Sequence, residues 1–383
     1  MARQFAPLLF TIFICFGITV SFGQNPASVP RDTTLSMPEK TFESFWLTFE
    51  DHYAFFKVRN IDWKNDYRKY RPMISASTSD DSLFSILSRM VAPFQDDHIN
   101  IIIPNQRQFT AEKPSRFLHE FSSDSVRQLF WQMVDTTLYQ KGFPAIQGAG
   151  PEFRGRKLFE YSFSIGYGYL RFTRCFASAE TDDDPPKDAA LAGGILDSVL
   201  ELFGPVKAIL IDVRVNIGGN DEFAYAVADR FASKKVLGHT KRVRKGGHED
   251  FGSPEKWYIE PKGKKQFIVP VAVLTNDQTA SAGDVFAMIM KALPNVKTIG
   301  ENTLGIYSDM YGFELPNKWL VSLSNQRYYA ADGKCYEGRG TPVDKKVMNT
   351  KKDLQAHKDP VIIAAIDMLN KDLPSGDSKT LPK

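Results

Sequence analysis

The order of apolar and polar positions predicts that the chain begins with a helical region. Aromatic and aliphatic residues recur at helical spacing over three stretches. Their apolar positions are Phe42, Phe45, Trp46, Phe49 and Tyr53, then Trp63, Tyr67 and Tyr70, then Leu83, Phe84, Ile86, Leu87, Met90 and Val91. Before the first stretch, Ser36 and Glu39 have the spacing of a capping box, with a proline in the first turn. We therefore predict a small N-terminal helical bundle over residues 38–95, preceded by a linker over 24–37.

Beyond residue 96 the pattern changes to strands that alternate with helices. The predicted strands are 99–103, 165–172, 206–213, 267–275 and 296–300, and the predicted helices are 123–138, 188–203, 221–233 and 281–293. Residues 206–213 form a nearly continuous apolar run, which is typical of a buried parallel strand. A β-hairpin or meander is expected over 310–330. The alternation predicts an α/β core over 96–350, followed by a helix over 351–371 and a disordered tail over 372–383.

The first residues have the pattern of a secretory signal. Arg3 precedes an apolar run over 5–20, and small residues lie at the −3 and −1 positions of a cleavage site after Gly23. This predicts a signal peptide over 1–23 and an exported protein, periplasmic or extracellular. An uncleaved anchor is the alternative, but Pro7 interrupts the run, which is short for a membrane span. No stable membrane span is therefore expected after signal removal.

Composition narrows the classes of function. The chain is 43% hydrophobic and 24% charged with a formal net charge of only +3, so nothing indicates a nucleic-acid partner. The six histidines lack paired metal-ligand spacing, and we predict no metal site and no cofactor. Cys175 and Cys335 make a disulfide possible in an exported protein, whereas two free thiols are equally compatible with the sequence. The oligomeric state is not indicated.

Ser281 is the first candidate for chemistry. It follows a buried strand and a short polar turn, and a helix begins there. Such a turn lifts a hydroxyl to the top of a sheet and directs the following N–H groups toward the group that the hydroxyl attacks. Serine is also a preferred N-cap residue. Position alone favours the cap over a nucleophile.

Three further features follow or precede strands. Gly218 and Gly219 come after the buried strand 206–213, where their N–H groups can face a developing negative charge. Asp97 and His98 lie between the helical region and the next strand, and Glu337 lies in a loop rich in glycine and proline. Each feature alone is equally explained by an ordinary turn, a structural histidine or a solvated carboxylate.

The order of these features resembles the C-terminal processing peptidase (tail-specific protease) family, especially its branch related to the tricorn core and to interphotoreceptor retinoid-binding protein. The resemblance covers roughly residues 40–350. It rests on the first aromatic helix together with residues 96–98, 165–172, 212–219, 279–283, 300–305 and 337–340. It implies a crotonase-like, ClpP-like βαβ catalytic core. It also implies a serine endopeptidase that cleaves peptides or unfolded protein tails through an acyl-enzyme.

The resemblance assigns a role to each candidate residue. Ser281 becomes the nucleophile, and the N–H groups of Ala282 and of Gly218 or Gly219 form the oxyanion hole. Much of the family carries a lysine where this chain has Ile306, so the resemblance implies the other family design, with His98 as base and Glu337 as acid. Asp97 stands where the tricorn design has a serine. Whether Asp97 or Glu337 orients His98 is therefore left open.

Two alternatives and one departure from the family accompany this interpretation. Residues 105–160 contain no PDZ-type carboxylate-binding loop, so we predict a lid or a groove wall there. The first alternative is a non-catalytic binder of hydrophobic ligands or peptides on the same scaffold. The second is a peptide- or glycan-binding surface protein whose triad is degenerate, which a separation of more than about 6 Å between His98 and Ser281 would favour.

Overall fold

The computed structural model describes residues 25–181 and 183–372, so the predicted signal peptide and almost all of the predicted C-terminal tail lie outside the described residues. The helices are α1 (Met37–His52), α2 (Trp63–Tyr70), α3 (Asp80–Val91), α4 (Arg116–Glu120), α5 (Asp124–Gln140), α6 (Pro185–Phe203), α7 (Asp221–Ala228), α8 (Ala282–Met290), α9 (Lys351–Ala356) and α10 (Pro360–Asp372). The strands are β1 (Asn25–Pro26), β2 (Asp96–Ile103), β3 (Arg107–Ala111), β4 (Gln147–Phe153), β5 (Arg156–Ser164), β6 (Tyr167–Arg171), β7 (Ala208–Asp212), β8 (Val236–Val243), β9 (Glu255–Ile259), β10 (Val271–Thr275), β11 (Val296–Gly300), β12 (Met310–Glu314), β13 (Leu320–Ser324), β14 (Gln326–Ala330) and β15 (Lys345–Lys346).

A seven-stranded sheet forms the centre of the molecule, in the order β15-β11-β10-β7-β6-β5-β4. The five strands from β15 to β6 are parallel, and β5 and β4 continue the sheet antiparallel. Every residue of β7 and of β10 is buried, which explains why each strand is apolar except for its last residue. The predicted α/β core is confirmed.

Both faces of this sheet are covered by helices. Side chains of a strand alternate between the two faces, so Ile209 and Ile211 of β7 pack toward α6, α7 and α8, whereas Leu210 packs toward α5 and α10. The prediction of a lid or a groove wall over 105–160 is wrong for most of that segment. Its helix α5 covers the sheet, and its strands β4 and β5 belong to the sheet itself.

The predicted N-terminal helices are present, but they do not have a core of their own. Aromatic side chains of α1 and α2 pack on a second sheet, of order β1-β12-β13-β2-β3. Phe49 and Trp63, for example, share one cluster with Ile101 of β2 and Val321 of β13. The predicted linker contains a short strand at its start, because Asn25–Pro26 pairs with β12. The helical layer and the strand that carries His98 are therefore one packing unit.

The predicted helix over 351–371 is present as two helices, α9 and α10. Thr350 caps α9, which ends at His357 with a φ of 50°, and Asp359 accepts the Val361 N–H at 2.8 Å where α10 begins. A third sheet, of order β14-β8-β9, contains the last strand of the predicted meander. Across the two described ranges, no helix combines the length and apolar character that crossing a membrane requires.

A fully buried ion cluster fastens α10 to the central sheet. Arg214 follows β7 and donates to Asp212 at 2.6 Å and to Asp359 at 2.7 Å, and the side chains of all three are inaccessible to solvent. Since a buried charge is stable only when it is paired, the cation is required by both carboxylates.

Replacing Arg214 by alanine leaves two uncompensated carboxylates in the interior, and we expect a loss of about 3–5 kcal/mol in the free energy of unfolding. Urea denaturation followed by circular dichroism measures it. The matched control is Lys264→Ala, which breaks an exposed pair with Glu201 and should cost less than about 1 kcal/mol. Equal losses in the two variants would contradict this account of the cluster.

Candidate active site

Ser281 lies at a strained turn between β10 and α8. Its φ of 55° and ψ of −125° lie outside the regions that a residue with a side chain prefers. The turn is fixed by hydrogen bonds from Thr279 Oγ1 to the Val213 carbonyl at 2.8 Å and from the Ala280 N–H to the Asn216 carbonyl at 2.9 Å. The sharp strand-to-helix turn predicted at Ser281 is therefore present. It is held by the segment that follows β7.

Asp284 secures the other side of this turn. Its buried carboxylate accepts the Ser281 N–H at 3.0 Å, the Gly305 N–H at 2.9 Å and the Ile306 N–H at 3.0 Å. Burial raises the pKa of Asp284 to about 7. The Asp284 carboxylate thus joins the start of α8 to the loop that contains Gly305 and Ile306. Sequence reasoning missed it, although an acidic residue three positions after a serine at a helix start is a capping-box signal.

His98 lies within reach of Ser281. Its Nε2 is 3.3 Å from Ser281 Oγ, far below the separation expected of a degenerate site. The Ser322 hydroxyl donates to the His98 carbonyl at 2.7 Å and holds β2 against β13. Burial lowers the pKa of His98, an effect that the Asp96 charge opposes. A neutral imidazole beside the hydroxyl is the state that a general base requires.

Neither of the two carboxylates expected to orient His98 does so. Glu337 is paired with Arg59, and its second oxygen accepts the Tyr307 N–H at 3.0 Å. Asp97 accepts the Lys113 N–H at 2.7 Å, and burial raises the pKa of Asp97 to about 6. His98 Nδ1 is buried and has no hydrogen-bond partner within the described ranges. The structure therefore brings Ser281 and His98 together and places both expected orienting groups elsewhere.

The two glycines after β7 have different surroundings. A Cβ on Gly218 would lie 2.5 Å from Ser281 Cβ, so only glycine permits this close approach. The Gly218 N–H donates to Asn216 Oδ1 at 2.8 Å and is occupied. A Cβ on Gly219 would lie 2.3 Å from the Cys175 carbonyl oxygen. The Gly218 N–H is therefore not available as an oxyanion-hole donor, contrary to one of the two expected choices. The N–H groups of Gly219 and Ala282 remain candidates.

The two cysteines are free thiols, which overturns the disulfide alternative. Cys175 is fully buried in the central core, with Sγ 3.5 Å from Asn216 Oδ1. Cys335 is half-buried against the core of the N-terminal helical layer. The two side chains belong to different cores, a separation that sequence spacing does not reveal.

Lys113 connects the loops that border the site. Its Nζ donates to the Leu304 carbonyl at 2.6 Å and to the Gly338 carbonyl at 2.9 Å. Burial lowers the pKa of Lys113, while Asp284 opposes that effect. Sequence reasoning missed this lysine because its partners are distant backbone carbonyls, which carry no sequence signal. In the part of the chain that the structure describes, no group of three or more His, Cys, Asp or Glu residues is suited to hold a metal ion.

With this geometry established, the comparisons with known proteins identify the class. Residues 167–347 match peptidase family S41, and residues 38–92 match the tricorn protease C1 domain. The carboxy-terminal processing protease CtpA of Bacillus subtilis is 28% identical over 134 residues, covering 35% of this chain and 27% of that protein. A CtpA-like serine protease of Staphylococcus saprophyticus is 25% identical over 142 residues, covering 37% of this chain and 28% of that protein. The matches thus span less than a third of the length of these curated relatives.

Solved structures extend the likeness over most of the chain. A crystal structure described as a candidate peptidase from Parabacteroides merdae is 26% identical, covers 90% of this chain and 99% of that one, and has a TM-score of 0.72. A serine-to-alanine mutant of CPAF, at 12% identity, covers 88% of this chain and 98% of that one with a TM-score of 0.61, and shows the fold alone. A peptidase family S41 match and a tricorn-type N-terminal match in one chain, together with these relatives, support the C-terminal processing peptidase family.

The environment of His98 predicts its titration. Because burial disfavours the imidazolium, we expect His98 to titrate below 6.5, the ordinary pKa of histidine. Proton–carbon NMR of the imidazole groups over pH 4–8 measures this, with His98→Ala identifying the resonance. A value above 6.5 would show that the charge of a neighbouring carboxylate outweighs burial, contrary to the arrangement described above.

Proposed function

We propose that this protein is an exported serine endopeptidase that cleaves peptides or unfolded protein tails. The observation that carries the proposal is the 3.3 Å contact between His98 Nε2 and Ser281 Oγ, made at a strained turn that begins a helix. A nucleophile and its base within hydrogen-bond reach are the signature of covalent catalysis. The family of the chain and the pattern of its first 23 residues support the activity and the export, respectively.

The first half of the reaction follows from this contact. His98 takes the Ser281 hydroxyl proton at Nε2 while Oγ attacks the carbonyl carbon of the peptide bond. The resulting oxyanion lies near the N-terminus of α8, where the N–H groups of Ala282 and Gly219 are the proposed donors. The tetrahedral intermediate collapses when His98 returns the proton to the leaving amine. An acyl-enzyme on Ser281 remains.

The second half repeats the same steps with water. His98 takes a proton from a water molecule, and the hydroxide attacks the acyl carbon. Collapse of this second intermediate expels Ser281 Oγ, which recovers its proton from His98. The products are two peptides, one with a new carboxyl end and one with a new amino end. The same two side chains perform both halves, so neither half needs a lysine at position 306.

Of the Ser-His-Glu design that the resemblance implies, the observed contacts support the serine and the histidine. In this proposal Glu337 does not contact His98 and affects the site only indirectly. It holds Arg59 and the Tyr307 N–H, and so stabilises the loops that border the site. Its contribution is then structural, and the group that supports the imidazolium must be sought among the other charges near His98.

The test of the activity is Ser281→Ala, assayed on a library of unstructured peptides and on an unfolded protein. We expect kcat/KM to fall by roughly a thousandfold or more, since removal of a nucleophilic serine leaves only binding and oxyanion stabilisation. The control is Ser198→Ala, an exposed serine on α6, which should retain full activity. If wild type cleaves nothing, or if Ser281→Ala cleaves equally well, the protein is not a serine peptidase of this design.

A further inference from the structure

Asp96, two residues before His98, is a carboxylate that sequence reasoning did not select. Asp96 is fully buried at the start of β2. Its Oδ1 accepts the His98 N–H at 3.1 Å and the Ser324 hydroxyl at 3.2 Å, and its Oδ2 accepts the Tyr53 hydroxyl at 3.0 Å. Three donors from three separate segments thus fix this carboxylate against the His98 backbone.

Arg59 contacts both carboxylates that lie near the turn before β2. Its guanidinium pairs with Glu337, while its Nε lies 3.9 Å from Asp96 Oδ2. It also donates to the Phe94 carbonyl at 2.9 Å and to the Gln95 carbonyl at 2.7 Å. Gln95 has a φ of 51°, so Arg59 stabilises the unusual turn that leads into β2. Arg59 thus approaches both carboxylates, but only Asp96 also contacts the His98 backbone.

We propose that Asp96, and not Glu337 or Asp97, is the positioning residue that holds His98 and supplies the negative charge behind its imidazole. This inference rests on the proposed peptidase function, since the charge matters when His98 becomes an imidazolium in the transition state. Asp96 does not touch the reacting atoms. It acts through the His98 backbone and through its electric field.

The charges around His98 support this assignment. The charged groups that act on its imidazole are Asp96 of its own strand and Asp309 and Arg59 from other segments. Glu337 is paired with Arg59, and Asp97, next to His98 in the chain, accepts the Lys113 N–H. Among these charges, Asp96 has the largest effect in raising the pKa of His98, Asp309 follows, and Arg59 acts in the opposite direction. Burial has the largest effect overall and lowers the value.

Three isosteric variants separate the effect of Asp96 from the effects of Glu337 and Asp309. Asp96→Asn keeps an oxygen that can accept the His98 N–H and removes the charge, together with the oxygen that accepts the Tyr53 hydroxyl. Glu337→Gln removes the charge that the family design would use, and Asp309→Asn removes the second carboxylate near His98. The His98 pKa is measured by NMR, and kcat/KM is measured from pH 4 to 9 on a peptide that the wild type cleaves.

We expect Asp96→Asn to lower the His98 pKa more than either other variant, to move the acidic limb of kcat/KM to lower pH, and to reduce its plateau by roughly tenfold, the equivalent of one pKa unit. A larger shift in Glu337→Gln than in Asp96→Asn, or no shift in Asp96→Asn, overturns the inference. Tyr53→Phe covers the case in which Asp96→Asn does not fold. It removes one donor to Asp96 and should lower the plateau several-fold, and an unchanged plateau also overturns the inference.

The NMR titration needs no catalytic activity, so it separates this inference from the proposed function. If the wild type cleaves no peptide, the function fails, while the order of the three His98 pKa shifts still tests the role of Asp96. If the wild type is active and Asp96→Asn matches it over the whole pH range, the function stands and the role of Asp96 is lost.

Discussion

The parallel pairing of β7 with β10 is the constraint on which the site depends. Asp212 lies opposite Leu274, so the segments that leave these two strands emerge side by side. Thr279 then bonds to the Val213 carbonyl, and Gly218 comes against Ser281 without room for a side chain between them. The carboxyl ends of parallel strands are the usual location of sites in α/β sheets. Here the pairing creates the strained turn that presents the serine hydroxyl.

The base comes from a different part of the molecule. His98 lies on the second sheet, whose core is completed by the aromatic side chains of the N-terminal helices. Arg59, which follows the first helix, reaches both Asp96 and Glu337 and so joins this layer to the loop at 337. The distance between His98 and Ser281 thus depends on how the helical layer packs.

Local sequence patterns predicted the parts of the structure that depend on residues close together in the chain. The buried strands, the helix at Ser281 and the glycine turn at 218 follow from apolar runs and from residues with special backbone preferences. The identity of charge partners does not. Glu337 and Arg59 are 278 positions apart, and their pairing depends on the packing of two sheets. For the same reason Asp284 and Lys113 were not selected, and the two cysteines were not known to occupy separate cores.

The central claim is that Ser281 is a nucleophile activated by His98. The most direct measurement is intact-mass analysis after treatment with a fluorophosphonate, followed by peptide mapping of the adduct. The account predicts one adduct, on Ser281, which forms faster as the pH rises through the His98 pKa and is lost when His98 is replaced by alanine. An adduct on another residue, or equal labelling of Ser281 with and without His98, would contradict it.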